Sequence, residues 1–149
     1  PKQFGVKYGN PQQYPYLSVC TTSTHDCETL RMWLAKDKQD GSTDVCGDEC
    51  RKVIEENLKA SSMFVILPLQ DWLSIDEQLR ANNPNDERIN VPSNPFHYWK
   101  YRMHLNLEEL CAANEFNHKI KEFLKTEKKR LTKIIIFCIL RWYRYDKML

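Results

Sequence analysis

Apolar residues gather into short runs, two of which read as strands, and elsewhere recur at the three- and four-residue spacing of helices. The first run, Tyr16-Leu17-Ser18-Val19-Cys20-Thr21-Thr22, is aromatic and β-branched and predicts a buried strand. The second, Met63-Phe64-Val65-Ile66-Leu67, is continuous in the manner of parallel-sheet strands and ends at Pro68. Between them Thr29 to Leu34 predicts a short helix, and Cys46 to Leu58 a second one, with Cys50, Val53, Ile54 and Leu58 on one face. Leu69 to Leu73 opens a further short helix, and Leu107 to about Lys129 a longer one that turns basic at Lys128-Lys129-Arg130. Pro1 to Pro15, Lys38 to Ser42 and the Asn- and Pro-rich stretch Asn82 to Pro95 read as loops. The order strand, helix, helix, strand, helix gives an α/β fold class. Two parallel strands do not make a sheet that stands alone, so part of a larger fold is expected.

Composition narrows the classes. The 22 Lys and Arg against 20 Asp and Glu leave a net charge of +2, too weak for a nucleic-acid footprint. With 4 glycines in 149 residues no Gly-rich phosphate loop can be assembled, and the length suits one domain. The longest apolar stretch, Ile134 to Leu140, falls far short of the ~20 residues of a membrane helix. The chain begins at Pro1 with no signal-peptide pattern, so a fragment or processed piece is expected, with its 6 cysteines reduced in the cytoplasm.

The densest polar cluster is Thr21-Thr22-Ser23-Thr24-His25-Asp26, at the carboxyl end of the first strand, where α/β folds gather ligands. There Asp26 can stabilise a developing cation and His25 can donate to a hydroxyl; alternatively, Asp26 or a neighbouring hydroxyl caps the next helix. Asp71 follows the second strand and could pair with Asp26 as the carboxylates of a glycosidase, or simply start a helix. Cys46 and Cys50 share a helix face and Cys27 lies near His25, but no second pair completes a zinc set, so no metal is expected. The segment from Asn94 to Arg102 interleaves aromatic and basic side chains around Trp99. It suits stacking on sugar rings or bases, or packing against the core. The basic, apolar stretch from Lys128 to Arg144 is either a solvated end or a contact for a membrane surface or partner.

Four blocks in order carry a resemblance. Tyr14-Pro15-Tyr16-Leu17-Ser18-Val19-Cys20-Thr21-Thr22-Ser23-Thr24-His25-Asp26, with Thr29-Leu30-Arg31-Met32-Trp33 after it, closely resembles the 4-α-glucanotransferases of glycoside hydrolase family 77. Ser62 to Asp71 is similar to the family's last barrel strand and its turn. Glu87-Arg88-Ile89-Asn90-Val91-Pro92, Asn94-Pro95 and His97-Tyr98-Trp99-Lys100-Tyr101-Arg102 resemble the branch with plant cytosolic and many bacterial members. The resemblance implies the last two strands of a (β/α)8 barrel, a fold of ~250 residues, over residues 1–130, with 131–149 an unmatched tail. It implies no cofactor, no nucleic-acid or membrane partner, and α-1,4-glucans and maltooligosaccharides as substrates. It implies a retaining transfer of glucan segments in which Asp26 steadies the oxocarbenium-like transition state and His25 contacts the sugar. The family's nucleophile Asp and acid/base Glu precede this block and have no counterpart in the 25 residues before Asp26. The chain alone is therefore expected to be inactive; the alternative is a non-catalytic glucan-binding piece that uses Trp99.

Overall fold

The computed structural model describes residues 9–38, 45–127 and 133–134. Val19–Cys20 (β1) and Phe64–Val65 (β2) pair in parallel, with Val19 opposite Phe64 and Cys20 opposite Val65. Both strands are much shorter than their apolar runs, because the ladder persists only where a partner backbone stays in register. Ile66 N–H still donates to Cys20 C=O at 2.9 Å, after which Pro68 withdraws a donor and the chain turns into Leu69–Leu73 (α3). A third short strand, Lys133–Ile134 (β3), pairs in parallel on the far side of β2, giving the order β1-β2-β3. The sequence predicts two strands; this third one comes from the stretch read as a tail. The rest of that stretch, including Cys138, lies outside the described residues, as do 1–8 and 39–44.

The crossover from β1 to β2 carries Leu30–Asp37 (α1) and Gly47–Leu58 (α2). Cys50, Ile54 and Leu58 of α2 are buried at the predicted helical spacing against Leu30, Val65, Leu67, Trp72 and Leu73. Glu49 closes the start of α2 by accepting from Cys46 N–H at 2.9 Å, and Glu77 accepts from Gly47 N–H, also at 2.9 Å. The same glycine lies so close to the Ile75 carbonyl oxygen that a Cβ would collide with it. Gly47→Ala is therefore expected to destabilise by about 1–3 kcal/mol in urea unfolding, despite its better helix propensity.

The long helix predicted from Leu107 to Lys129 is two helices, Leu107–Ala112 (α4) and Asn114–Glu127 (α5). Ala113 leaves helical geometry at φ −72° and ψ 66°, and Asn117 Nδ2 takes up the freed carbonyls of Leu110 and Cys111 at 2.9 and 3.3 Å. The break lets Phe116 and Ile120 of α5 reach the core, where Phe123 stacks on Trp72 with centroids 6.5 Å apart. Among the described residues no helix is long and apolar enough to cross a membrane.

Candidate functional site

The loop from Thr21 to Thr29 leaves the carboxyl end of β1, and hydrogen bonds with Cys27 fold it into a tight turn. Cys27 N–H donates to Thr24 C=O at 3.2 Å, and Cys27 Sγ accepts from Thr24 N–H at 3.1 Å. The turn pushes His25 and Asp26 outward, with side chains 51% and 55% exposed. Asp26 Oδ1 accepts from Asn90 Nδ2 at 2.7 Å, and Oδ2 lies 3.3 Å from His25 Nε2. Asn90 is doubly tied to this turn, since its N–H also donates to His25 C=O at 3.1 Å. The His25 ring meets Trp99 with centroids 5.0 Å apart and planes tilted by 50°. His25, Asp26 and Trp99, each singled out in the sequence, thus meet at one open place.

Phe96, Tyr98 and Trp99 of the aromatic segment are all exposed, so these three rings do not pack into the core; Tyr101 is half-buried, and burial pushes its phenol above the ordinary 10.0. Their loop is nonetheless fixed: His97 Nε2 lies 3.1 Å from Ile89 C=O, and Lys100 Nζ sits 5.3 Å from the Tyr98 ring centroid.

Asp26 does not cap α1. Thr29 stands at the N-cap position without accepting a bond there, and the first helical N–H, that of Leu30, donates to Asp71 Oδ1 at 2.8 Å. Asp71 Oδ2 accepts from Ser23 Oγ at 2.6 Å and Thr22 Oγ1 at 2.5 Å. It is fully buried, and that burial pushes its carboxyl above the ordinary 3.8 against the pull of those donors. A carboxylate so enclosed cannot reach a substrate, so its pairing with Asp26 as a glycosidase couple is corrected: Asp71 is a structural cap delivered across the fold.

The buried thiols of Cys20 and Cys50 are pushed up to about 11 by burial, which makes them poor metal ligands and poor nucleophiles. Among the described residues no group of three or more His, Cys, Asp or Glu is placed to hold a metal ion. Asn90 is the site residue that sequence reasoning did not single out. Its signal in the sequence is its place in the Glu87-Arg88-Ile89-Asn90-Val91-Pro92 block, where the resemblance gives it no role of its own.

An oriented, solvent-facing carboxylate beside an imidazole and an indole face is suited to a polyhydroxylated ring. The carboxylate accepts hydroxyls or faces a developing positive charge, and the indole stacks on the C–H face of a sugar.

Residues 2–108 match the family model described as 4-alpha-glucanotransferase, glycoside hydrolase 77. The chain is 33% identical to 4-alpha-glucanotransferase DPE2 of Oryza sativa subsp. japonica, over 83% of this chain and 15% of the relative. It is 31% identical to the 4-alpha-glucanotransferase of Chlamydia caviae, over 74% of this chain and 23% of the relative. With that of Chlamydia muridarum the identity is 30%, over 70% of this chain and 22% of the relative. The chain thus spans less than a quarter of the length of these relatives. No solved structure matches it.

Proposed function

Because the chain belongs to the 4-alpha-glucanotransferase family of glycoside hydrolases, we propose that it carries the transition-state half of a site that transfers α-1,4-glucan segments. Asp26 is the stabilising carboxylate, and His25 and Trp99 hold the sugar beside it. The observation that carries this reading is their convergence with Asn90 at the carboxyl end of a parallel strand, where a barrel collects its ligands. A retaining double displacement builds positive charge on the anomeric carbon as the glycosidic bond stretches. A carboxylate held by an amide on one oxygen, its other oxygen facing His25, stabilises that charge without reorganising. Maltooligosaccharides or longer α-1,4-glucans are donor and acceptor.

The nucleophile and the acid/base come from parts of the family fold outside these residues, which leaves residues 1–149 able to bind glucan but not to cleave it. The exposed Leu17 and Val19 leave one face of β1 open, which supports further packing there from the rest of the family fold. The described cysteines are free thiols, in keeping with a cytoplasmic setting. The second reading, a glucan-binding piece without catalysis, is favoured by the exposed Phe96, Tyr98 and Trp99.

Residues 1–149 are expected to be retarded on amylose resin and to release no glucose from maltotriose. Trp99→Ala is expected to weaken that retention about fivefold, the worth of one stacked aromatic. Glucose release would overturn the division of labour, and unchanged retention would remove Trp99 from the site.

A further inference from the structure

We propose that the buried Arg31–Glu87 pair is the positioning device of this site, fixing the loop that carries Asn90 so that its amide holds the Asp26 carboxylate. For what Asp26 does there, the inference rests on the glucanotransferase reading; for the placement it does not.

The segment from Asn82 to Pro95 is long, polar and rich in Asn and Pro, and it offers the core almost nothing apolar. Glu87 is its one buried residue. The loop is thus anchored by a charge, where most loops would be anchored by an apolar side chain. Glu87 is 2% exposed and Arg31, from the first turn of α1, 5%. The guanidinium grips both carboxylate oxygens with one edge, Nε to Oε2 at 2.9 Å and NH2 to Oε1 at 2.6 Å. Thr29 Oγ1 adds a third bond to Oε2 at 3.0 Å, and Arg31 NH2 also donates to Ala81 C=O, where the loop begins. A bidentate Arg–carboxylate pair fixes direction as well as distance, which a Lys or an apolar contact would not.

The pair is placed to act on both halves of the site. Thr29 and Arg31 follow the His25-Asp26 turn, while Glu87 closes the 3-10 turn Pro84–Glu87, three residues before Asn90. Locking Arg31 to Glu87 therefore sets the distance between the two chain segments that meet at Asp26 and Asn90. A further ion pair between them is long, Arg88 NH1 lying 3.7 Å from Glu28 Oε1. Without the buried pair the loop would hang on that contact and on those of Asn90 itself, and Asp26 would lose its fixed direction.

Nuclear magnetic resonance of the 15N-labelled chain, without glucan, tests this. In the wild type the Arg31 Nε–H and the Asn90 backbone N–H are expected to exchange with solvent with protection equal within about threefold, because pair and loop open as one unit. Asn90 exchanging more than tenfold faster than Arg31 Nε–H would overturn the proposal. Glu87→Gln keeps the volume but sets an amide NH2, a donor, against the guanidinium. It is expected to raise Asn90 N–H exchange at least tenfold and to move the Asn90 side-chain amide pair towards its position in Asp26→Ala. Leu30 N–H, held by Asp71, should keep its protection, which separates loss of positioning from loss of fold. An Asn90 amide pair unmoved in folded Glu87→Gln would sink the idea. Should that variant fail to fold, the wild-type comparison decides alone. No glucan enters these measurements, so a failed transferase reading would leave them standing.

Discussion

Asp71→Ala is expected to cost the fold about 3 kcal/mol or more in urea unfolding, among the largest single effects available in this chain. The carboxylate has no solvent exposure, and its removal orphans the Leu30 N–H and the hydroxyls of Ser23 and Thr22 together. It also leaves a void under the start of α1. Asp71→Asn should be far milder. Its Oδ1 still takes the Leu30 N–H, and the two hydroxyls can rotate to accept from the amide. The wild type and Asp71→Asn also separate in their pH dependence. Burial raises the folded-state carboxyl above its ordinary 3.8, so the folded protein holds this proton more tightly than the unfolded chain. The resulting stability is complete below about 3.8 and is lost as pH climbs through the raised folded value. Urea midpoints from pH 4 upward should therefore fall for the wild type relative to Asp71→Asn and then run parallel. A wild type that gains on Asp71→Asn with rising pH would reverse the assignment.

Asp26→Ala has the opposite profile. Its carboxylate is more than half exposed and its partners Asn90 and His25 reach water, so folding should change by about 0.5 kcal/mol or less. In a complete polypeptide that adds nucleophile and acid/base to these residues, transfer between maltooligosaccharides should fall roughly 100- to 1,000-fold or more, the worth of a preorganised electrostatic group. Turnover within a few-fold of wild type, read as glucose released from maltotriose, would remove Asp26 from the reaction. Equal losses in folding and turnover would recast it as structural.

Much of the site was legible because its signals are local. His25 and Asp26 stand in a polar cluster directly after an apolar strand, and Trp99 in a stretch dense with rings, and each feature survives in a linear reading. Asn90 was not legible as a partner, since it meets Asp26 across 64 residues and the block it stands in says nothing of that contact. Asp71 does stand in the first turn of α3, as its helix-start reading has it, but its capping of α1 was hidden for the same reason. Helix caps are sought within a residue or two of the helix, and this one arrives from 41 residues away. The face of α2 was plain from Cys50, Ile54 and Leu58, whereas the break at Ala113 was not, because apolar periodicity passes through it without interruption. Strand length was the least legible feature. Apolar residues can be counted in sequence, but a ladder needs a neighbour, and β1 and β2 run in register for two residue pairs.

That register has a consequence for how the chain is made. Residue 64, the partner of Val19, lies 45 positions further along, so β1 leaves the ribosome well before β2 is there to pair with it. At roughly 5–20 residues per second the wait is about 2–9 s. Throughout it Leu17 and Val19, exposed even in the finished fold, stand beside a backbone edge still waiting for β2. Synthesis speed, and a chaperone able to cover one short apolar segment, would then govern the yield of folded protein more strongly than the final stability does.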